Sequence, residues 1–185
     1  MSCIIDFIKG DYMKNSVPIK SIETINHIIL ELYKKENRRD VFLFLICIHT
    51  GLSISKVIKM KKADIVDCSI NTKIKGKSIT ISLLNIKNEI LAYTDELDLD
   101  EYLFLSNKAD KNGNQKHISR EHAYRILASA RKRLNLKYPL NSSTFKKTFA
   151  YHHYLRNKDI EYIALYLGTD NINEIKNYLH INKLS

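Results

Sequence analysis

The chain has 185 residues, 44% of them apolar and 27% charged, with 30 Lys and Arg against 20 Asp and Glu for a net charge of +10. That length suits one domain with its own core, while the longest apolar run, VFLFLICI at 41–48, is far below the roughly 20 residues of a bilayer span. A beginning that carries Asp6, Lys9 and Asp11 lacks a signal peptide's pattern, so a cytoplasmic protein is expected, and Cys3, Cys47 and Cys68 are too scattered for a disulfide framework or a zinc ribbon.

Residues 1–20 read as a loose N-terminal extension ending in VPIKS, and residues 21–185 as the domain. A first helix is predicted from about Ser21 to Glu36, with Ile22, Ile25, Ile29 and Leu32 on one face. ENRRD breaks it, Asp40 is placed to cap the next helix, and the all-round apolar stretch 41–50 predicts the central, buried helix, with Cys47 as core. Gly51 ends that helix in TGLS, and a short basic helix follows at about 54–60. Between Asp64 and Leu105 the runs ADIVDCSI, KSITISLL, EILAYT and YLFLS read as a small, three-stranded antiparallel sheet, and the acidic DELDLDEY (95–102) as a solvated loop.

Ser119 then caps a helix whose Ala123, Ile126, Leu127, Ala130 and Leu134 keep helical spacing. Pro139 forces a break, and three last helices are predicted at about 144–156, 159–168 and 172–180. The whole is an α+β fold, mostly α. Residues 101–185 hold 15 basic and 7 acidic side chains, so most of the charge excess lies there; a polyanion, nucleic acid first, is the expected partner, against the plainer reading of a solvated lysine-rich surface.

Two stretches carry a resemblance. RDVFLFLICIHTGLSISKVIKMKKADI (39–65) resembles the first signature of the tyrosine recombinases, or phage integrases, in which a long apolar helix runs into T-G-L-R-x-S-E. SSTFKKTFAYHHYLRNKDIEYIALYLGTDNINEIKNYLHI (142–181) resembles the second, H-x-L-R-K/H-T-F-G/A followed by L-G-H and, nine residues later, a tyrosine. The resemblance covers about residues 20–181 and looks closest to short, catalytic-domain-only integrases of mobile elements. It implies the tyrosine recombinase catalytic-domain fold, binding of double-stranded DNA as a homo-oligomer, no cofactor or metal, no membrane association and no small-molecule substrate. A separate core-binding domain, usual in the family, is not expected before residue 20, and with only LHINKLS after Tyr178 an exchanged C-terminal tail would be short.

In that family the tyrosine attacks a DNA phosphate while arginines, a lysine and histidines stabilise the transition state. By the resemblance Tyr178 takes the nucleophile position, although in a chain with 11 tyrosines it reads equally as a core aromatic. Ser53 stands where the first arginine would be, Ser143 and Thr169 replace the histidines, Lys146 replaces the second arginine, and Lys87 in NIKNEIL is matched loosely to the sheet lysine. Lysine lacks the planar fork that grips two phosphate oxygens, so the site reads as dismantled. DNA phosphates would be held by Lys56, Lys59, Arg120, Lys146 and Lys147. An active strand transferase remains the alternative, its clamp relocated to Lys56, Lys147, His152 or Arg156; an interaction module for an acidic protein is a third. His152 and His153 point about 100° apart on a helix and do not make a metal pair.

Overall fold

The computed structural model describes residues 16–34, 37–74, 76–109 and 111–181. Helix α1 (Ile22–Tyr33) starts at Ser21, whose hydroxyl accepts the Thr24 N–H at 3.2 Å. Its buried stripe is Ile25, Ile28 and Leu32, whereas Ile22 is 60% exposed. The predicted stripe through Ile22 and Ile29 is therefore rotated by part of a turn, because α1 packs against two later helices instead of one. Glu31 falls inside this stripe and is neutralised there by Lys34 at 2.7 Å and by Arg133.

Helix α2 (Arg38–Thr50) is the centre of the molecule, with Phe42 through Ile48 all buried. Its cap is Asn37, not Asp40; Asp40 lies in the first turn, where its carboxylate accepts from Arg39 at 3.1 Å. The helix ends at Gly51 in the left-handed region, φ 60°, followed by a single helical turn, α3 (Ile54–Val57).

The sheet is smaller than its sequence suggested. Strands β1 (Ser69–Ile74) and β2 (Lys77–Ser82) form an antiparallel hairpin in register from Ser69↔Ser82 to Ile74↔Lys77, and no third strand joins them among the described residues. EILAYT belongs to helix α4 (Lys87–Thr94): Ile86, Ile90 and Thr94 are buried at intervals of four, while Leu91 is 54% exposed. In YLFLS, Leu103 and Phe104 are consecutive buried residues, which a half-exposed strand does not allow, and the chain pairs only through single bridges, Lys61↔Tyr102 and Leu105↔His117. The start of ADIVDCSI closes a 3₁₀ turn at Lys62–Asp64, and only its end enters β1.

Four helices complete the body. Helix α5 (Arg120–Arg133) is capped by Ser119 and buries Ala123, Leu127 and Ala130. Helix α6 (Ser142–Asn157) is capped by Asn141 and lies against α2, with Phe44 and Phe145 edge to face at 5.8 Å. Helices α7 (Ile160–Leu167) and α8 (Ile172–Leu179) are capped by Asp159 and Asn171 and stopped at Gly168 and His180, both left-handed.

Residues 1–15 of the expected extension lie outside the described residues, but Ser16–Lys20 is not loose. Ser16, Pro18 and Ile19 are buried; the Ile19 N–H donates to Thr148 Oγ1 at 2.9 Å and its carbonyl accepts from His152 Nε2 at 2.8 Å. The packed body thus begins before residue 21. No described helix is long and apolar enough to cross a membrane.

Candidate nucleic-acid interface

Tyr178 sits on the last turn of α8, half-buried, and opens into a pocket of about 480 Å³ lined also by Lys146, Lys147, Thr169 and Glu174. The helix presents it there because Ile175 and Leu179, both buried in the core, fix the rotation of the helix and leave Tyr178 at the edge of that buried face. The Lys146 and Lys147 ammonium groups stand over its ring at 5.8 and 5.7 Å. Burial pushes the Tyr178 phenol up to about 12, so it is neutral through the physiological range.

The predicted residues divide. Lys146, Lys147, Thr169 and Tyr178 meet in this one pocket. Thr169 uses its hydroxyl to donate to Glu174 Oε2 at 2.6 Å and to accept the Asn171 N–H at 3.2 Å, so it is a turn-closing residue as well as a pocket wall. Ser53 is exposed at the start of α3 and Ser143 half-buried in the first turn of α6; neither lines the pocket. The TGLS turn is nevertheless clamped beside it. Tyr166 Oη donates to the Thr50 carbonyl at 3.3 Å, Ser142 Oγ accepts the Ile54 N–H at 3.0 Å, and a Cβ on Gly51 would lie 2.0 Å from Tyr166 Oη and 3.1 Å from Lys146 Cα. Only a glycine permits that approach at this backbone angle.

Lys87 is misplaced by the sequence reading. It begins α4 and lines a different groove, with Lys62, Leu84 and Leu91, so it is not on the hairpin; the described lysines on the strands are Lys73 and Lys77.

The remaining expected contacts also separate. Lys59 and Arg120 are exposed, and the Arg120 guanidinium lies 5.4 Å from the Tyr124 ring. Lys56 is exposed but donates to Thr72 Oγ1 on β1. Lys147 donates to the Ser16 carbonyl at 2.6 Å, and burial lowers its pKa. His152 is spent on Ile19, and His153 stacks on Tyr162 at 4.2 Å. Both histidines have lowered pKa values, chiefly from burial; Arg156 adds to this in each, against the bond to Ile19 at His152 and the Asp159 carboxylate at His153. Among the described residues no three His, Cys, Asp or Glu side chains could hold a metal.

A second basic pocket was not visible in the sequence. It measures about 570 Å³ and gathers Arg39, Lys108, Lys116, His117, His122 and Arg125 at the start of α5, with no carboxylate on its lining. Arg39 is held by Asp40 and by the Leu105 carbonyl at 2.8 Å, and Arg125 donates to His122 Nδ1 at 3.2 Å. Burial, then Arg39 and Arg125, lower the His122 pKa. Such a set of donors suits an oxyanion. Its signal in the sequence was weak because Arg39 lies 83 positions from His122.

Residues 16–184 match the phage integrase family. A probable integrase/recombinase of Bacillus subtilis (strain 168), YoeC, is 34% identical over 170 residues, 90% of either chain. Among solved structures, XerA recombinase superposes with a TM-score of 0.65 at 19% identity, over 90% of this chain and 61% of that one. The catalytic domain of bacteriophage HP1 integrase gives 0.58 at 21% identity, over 89% and 88%. A lambda integrase dimer bound to a COC′ core site gives 0.62 at 15% identity, over 89% and 48%. The chain thus spans about three fifths of XerA and half of that lambda integrase chain, and these structural likenesses speak for the tyrosine recombinase catalytic-domain fold.

Proposed function

The chain belongs to the phage integrase family, and from that premise we propose that it binds duplex DNA, as a homo-oligomer on its site, with strand cleavage at Tyr178 strongly impaired. The supporting observation is the make-up of the Tyr178 pocket. Its lining offers two lysines and a glutamate, and neither arginine nor histidine. Phosphoryl transfer depends on preorganised positive charge around the transferring group, and losing one such donor typically costs about 10²–10³ in rate. Ser53, Ser143 and Thr169 supply hydroxyls at most, and Lys147 already shares its ammonium with the Ser16 carbonyl. Binding itself needs only cations against phosphates, and these are plentiful: net charge +10, exposed Lys56, Lys59 and Arg120, and the basic pocket at α5. Maintenance or regulation of a mobile element, in the cytoplasm, is the role such a protein would fill.

One observation favours an active strand transferase. Two ammonium groups within 6 Å of the Tyr178 ring are where a relocated clamp would begin. A single experiment separates the readings: labelled duplex from the host element, mixed with wild type and with Tyr178→Phe, is run on native and on denaturing SDS gels. A native shift without an SDS-resistant adduct supports binding alone. An adduct that vanishes in Tyr178→Phe overturns the impairment.

A further inference from the structure

The segment Ser16–Lys20 does more than complete the core. Its two ends grip α6 and the end of α8, two of the elements that line the Tyr178 pocket. At one end Ser16 Oγ donates to Asn141 Oδ1 at 3.3 Å at the head of α6, and its carbonyl accepts from Lys147. At the other end Lys20 Nζ donates to the carbonyl of His180 at 2.6 Å, and the same ammonium stands 5.2 Å over the Tyr151 ring of α6. Between these, Ile19 is locked to Thr148 and His152.

His180 is the residue that ends α8, two positions after Tyr178, at φ 54°. A non-glycine residue in that conformation carries strain unless its surroundings hold it. Here both its backbone and its side chain are held: Lys20 takes the carbonyl, and Lys147 stands 3.3 Å from the ring Nε2. Lys147 therefore has three neighbours at once, the Ser16 carbonyl, the His180 ring and the Tyr178 ring face.

We propose that Lys20 and Lys147 are positioning residues for Tyr178, acting through His180, so that the segment Ser16–Lys20 straps the tyrosine helix to α6. The seat of the tyrosine is then coupled to the chain upstream of residue 21. Loss of the strap releases the end of α8 and frees the Lys147 ammonium to meet a phosphate. The proposal rests on the reading of Tyr178 as a functional residue only for its consequence; the seat itself is a physical property with its own test.

The charge state of His180 belongs to this device. The groups facing it are Lys20 from the strap and Lys147 from α6, and burial followed by these two cations lowers its pKa from 6.5. A neutral ring accepts from Lys147 and a protonated one cannot. The contribution of this contact is thus complete above about pH 6.5 and is lost as pH falls through the lowered folded-state value.

The test is hydrogen–deuterium exchange on the full chain, read on the peptide covering α8 in wild type, Lys20→Met, Lys20→Arg and His180→Gln. Lys20→Met is expected to speed exchange of the α8 amides about tenfold or more, the size set by one charge-assisted hydrogen bond, with α1, α2 and α5 unchanged. Lys20→Arg restores protection. After correction for intrinsic rates, wild-type α8 loses protection as the pH falls below about 6.5, whereas His180→Gln shows no such dependence. Unchanged α8 exchange in Lys20→Met overturns the proposal, and so does equal loosening of every helix, which would mark Lys20 as a general stabiliser. Absence of any Tyr178 adduct with DNA tests the strand-transfer reading alone and leaves the exchange result standing.

Discussion

The two basic pockets are built from different cations. Around Tyr178 the charge comes from Lys146 and Lys147, set against Glu174. At the start of α5 it comes from Arg39, Arg125, Lys108 and Lys116, with two histidines and no acid on the lining. Arginine is always charged and presents a rigid fork of donors, whereas lysine is a flexible point charge that burial can weaken, as it does for Lys147. On the function proposed above, gripping a polyanion and attacking one make different demands, and the arginine-bearing pocket at α5 would serve the first while the lysine pocket would serve the second poorly.

The comparison breaks most completely if the Tyr178 side is dislodged. Gly51→Ala places a methyl 2.0 Å from Tyr166 Oη and 3.1 Å from Lys146 Cα, at a φ of 60°. The expected cost is about 3 kcal/mol, or a melting point lower by about 6–12 °C in a chain of this size, measured by thermal unfolding. Mild acid should approach that size. Burial, then Arg156 and His152, lower the pKa of His49 at the end of α2 to about 4. Its contribution is complete above pH 6.5 and is lost toward pH 4, up to about 3 kcal/mol; urea titrations at pH 7 and pH 4.5, with His49→Gln as the less pH-sensitive control, check it.

DNA binding sharpens the contrast from the other side. Lys116→Ala with Arg125→Ala should weaken duplex binding about tenfold or more at moderate salt and lower the slope of affinity against salt by about 2, read by fluorescence anisotropy across salt. Lys146→Arg moves a fork into the Tyr178 pocket. Any SDS-resistant adduct should then rise about tenfold; no rise would mean that the missing donors at Ser53, Ser143 and Thr169 dominate. The smallest effect is expected for Glu174→Gln, which removes the one carboxylate on that pocket's lining and should raise duplex affinity about twofold.

Local pattern made much of this legible beforehand. The central helix, the glycine that ends it, the order of the last three helices and the nine-residue interval from Thr169 to Tyr178 are written in consecutive residues, because helix periodicity and caps act within a few positions. The same local reasoning misjudged EILAYT. Its apolar residues satisfy a strand pattern and a helix pattern alike, and burial of Ile86, Ile90 and Thr94 against the body decides for the helix. It also misjudged Lys87, whose place followed from that sheet.

What the sequence by itself determined is the family's two signatures, the net positive charge and the absence of arginine and histidine at positions 53, 143, 146 and 169, which hold Ser53, Ser143, Lys146 and Thr169. What only the tertiary structure decided is which cations share a pocket and which are already engaged. Arg39 meets His122 across 83 positions, Lys147 meets Ser16 across 131, and Lys20 reaches His180 across 160. No periodicity links residues that far apart. Their meeting is set by how α2, α5, α6 and α8 pack, since burial of apolar faces fixes the helices and the polar side chains must then find partners wherever packing leaves them.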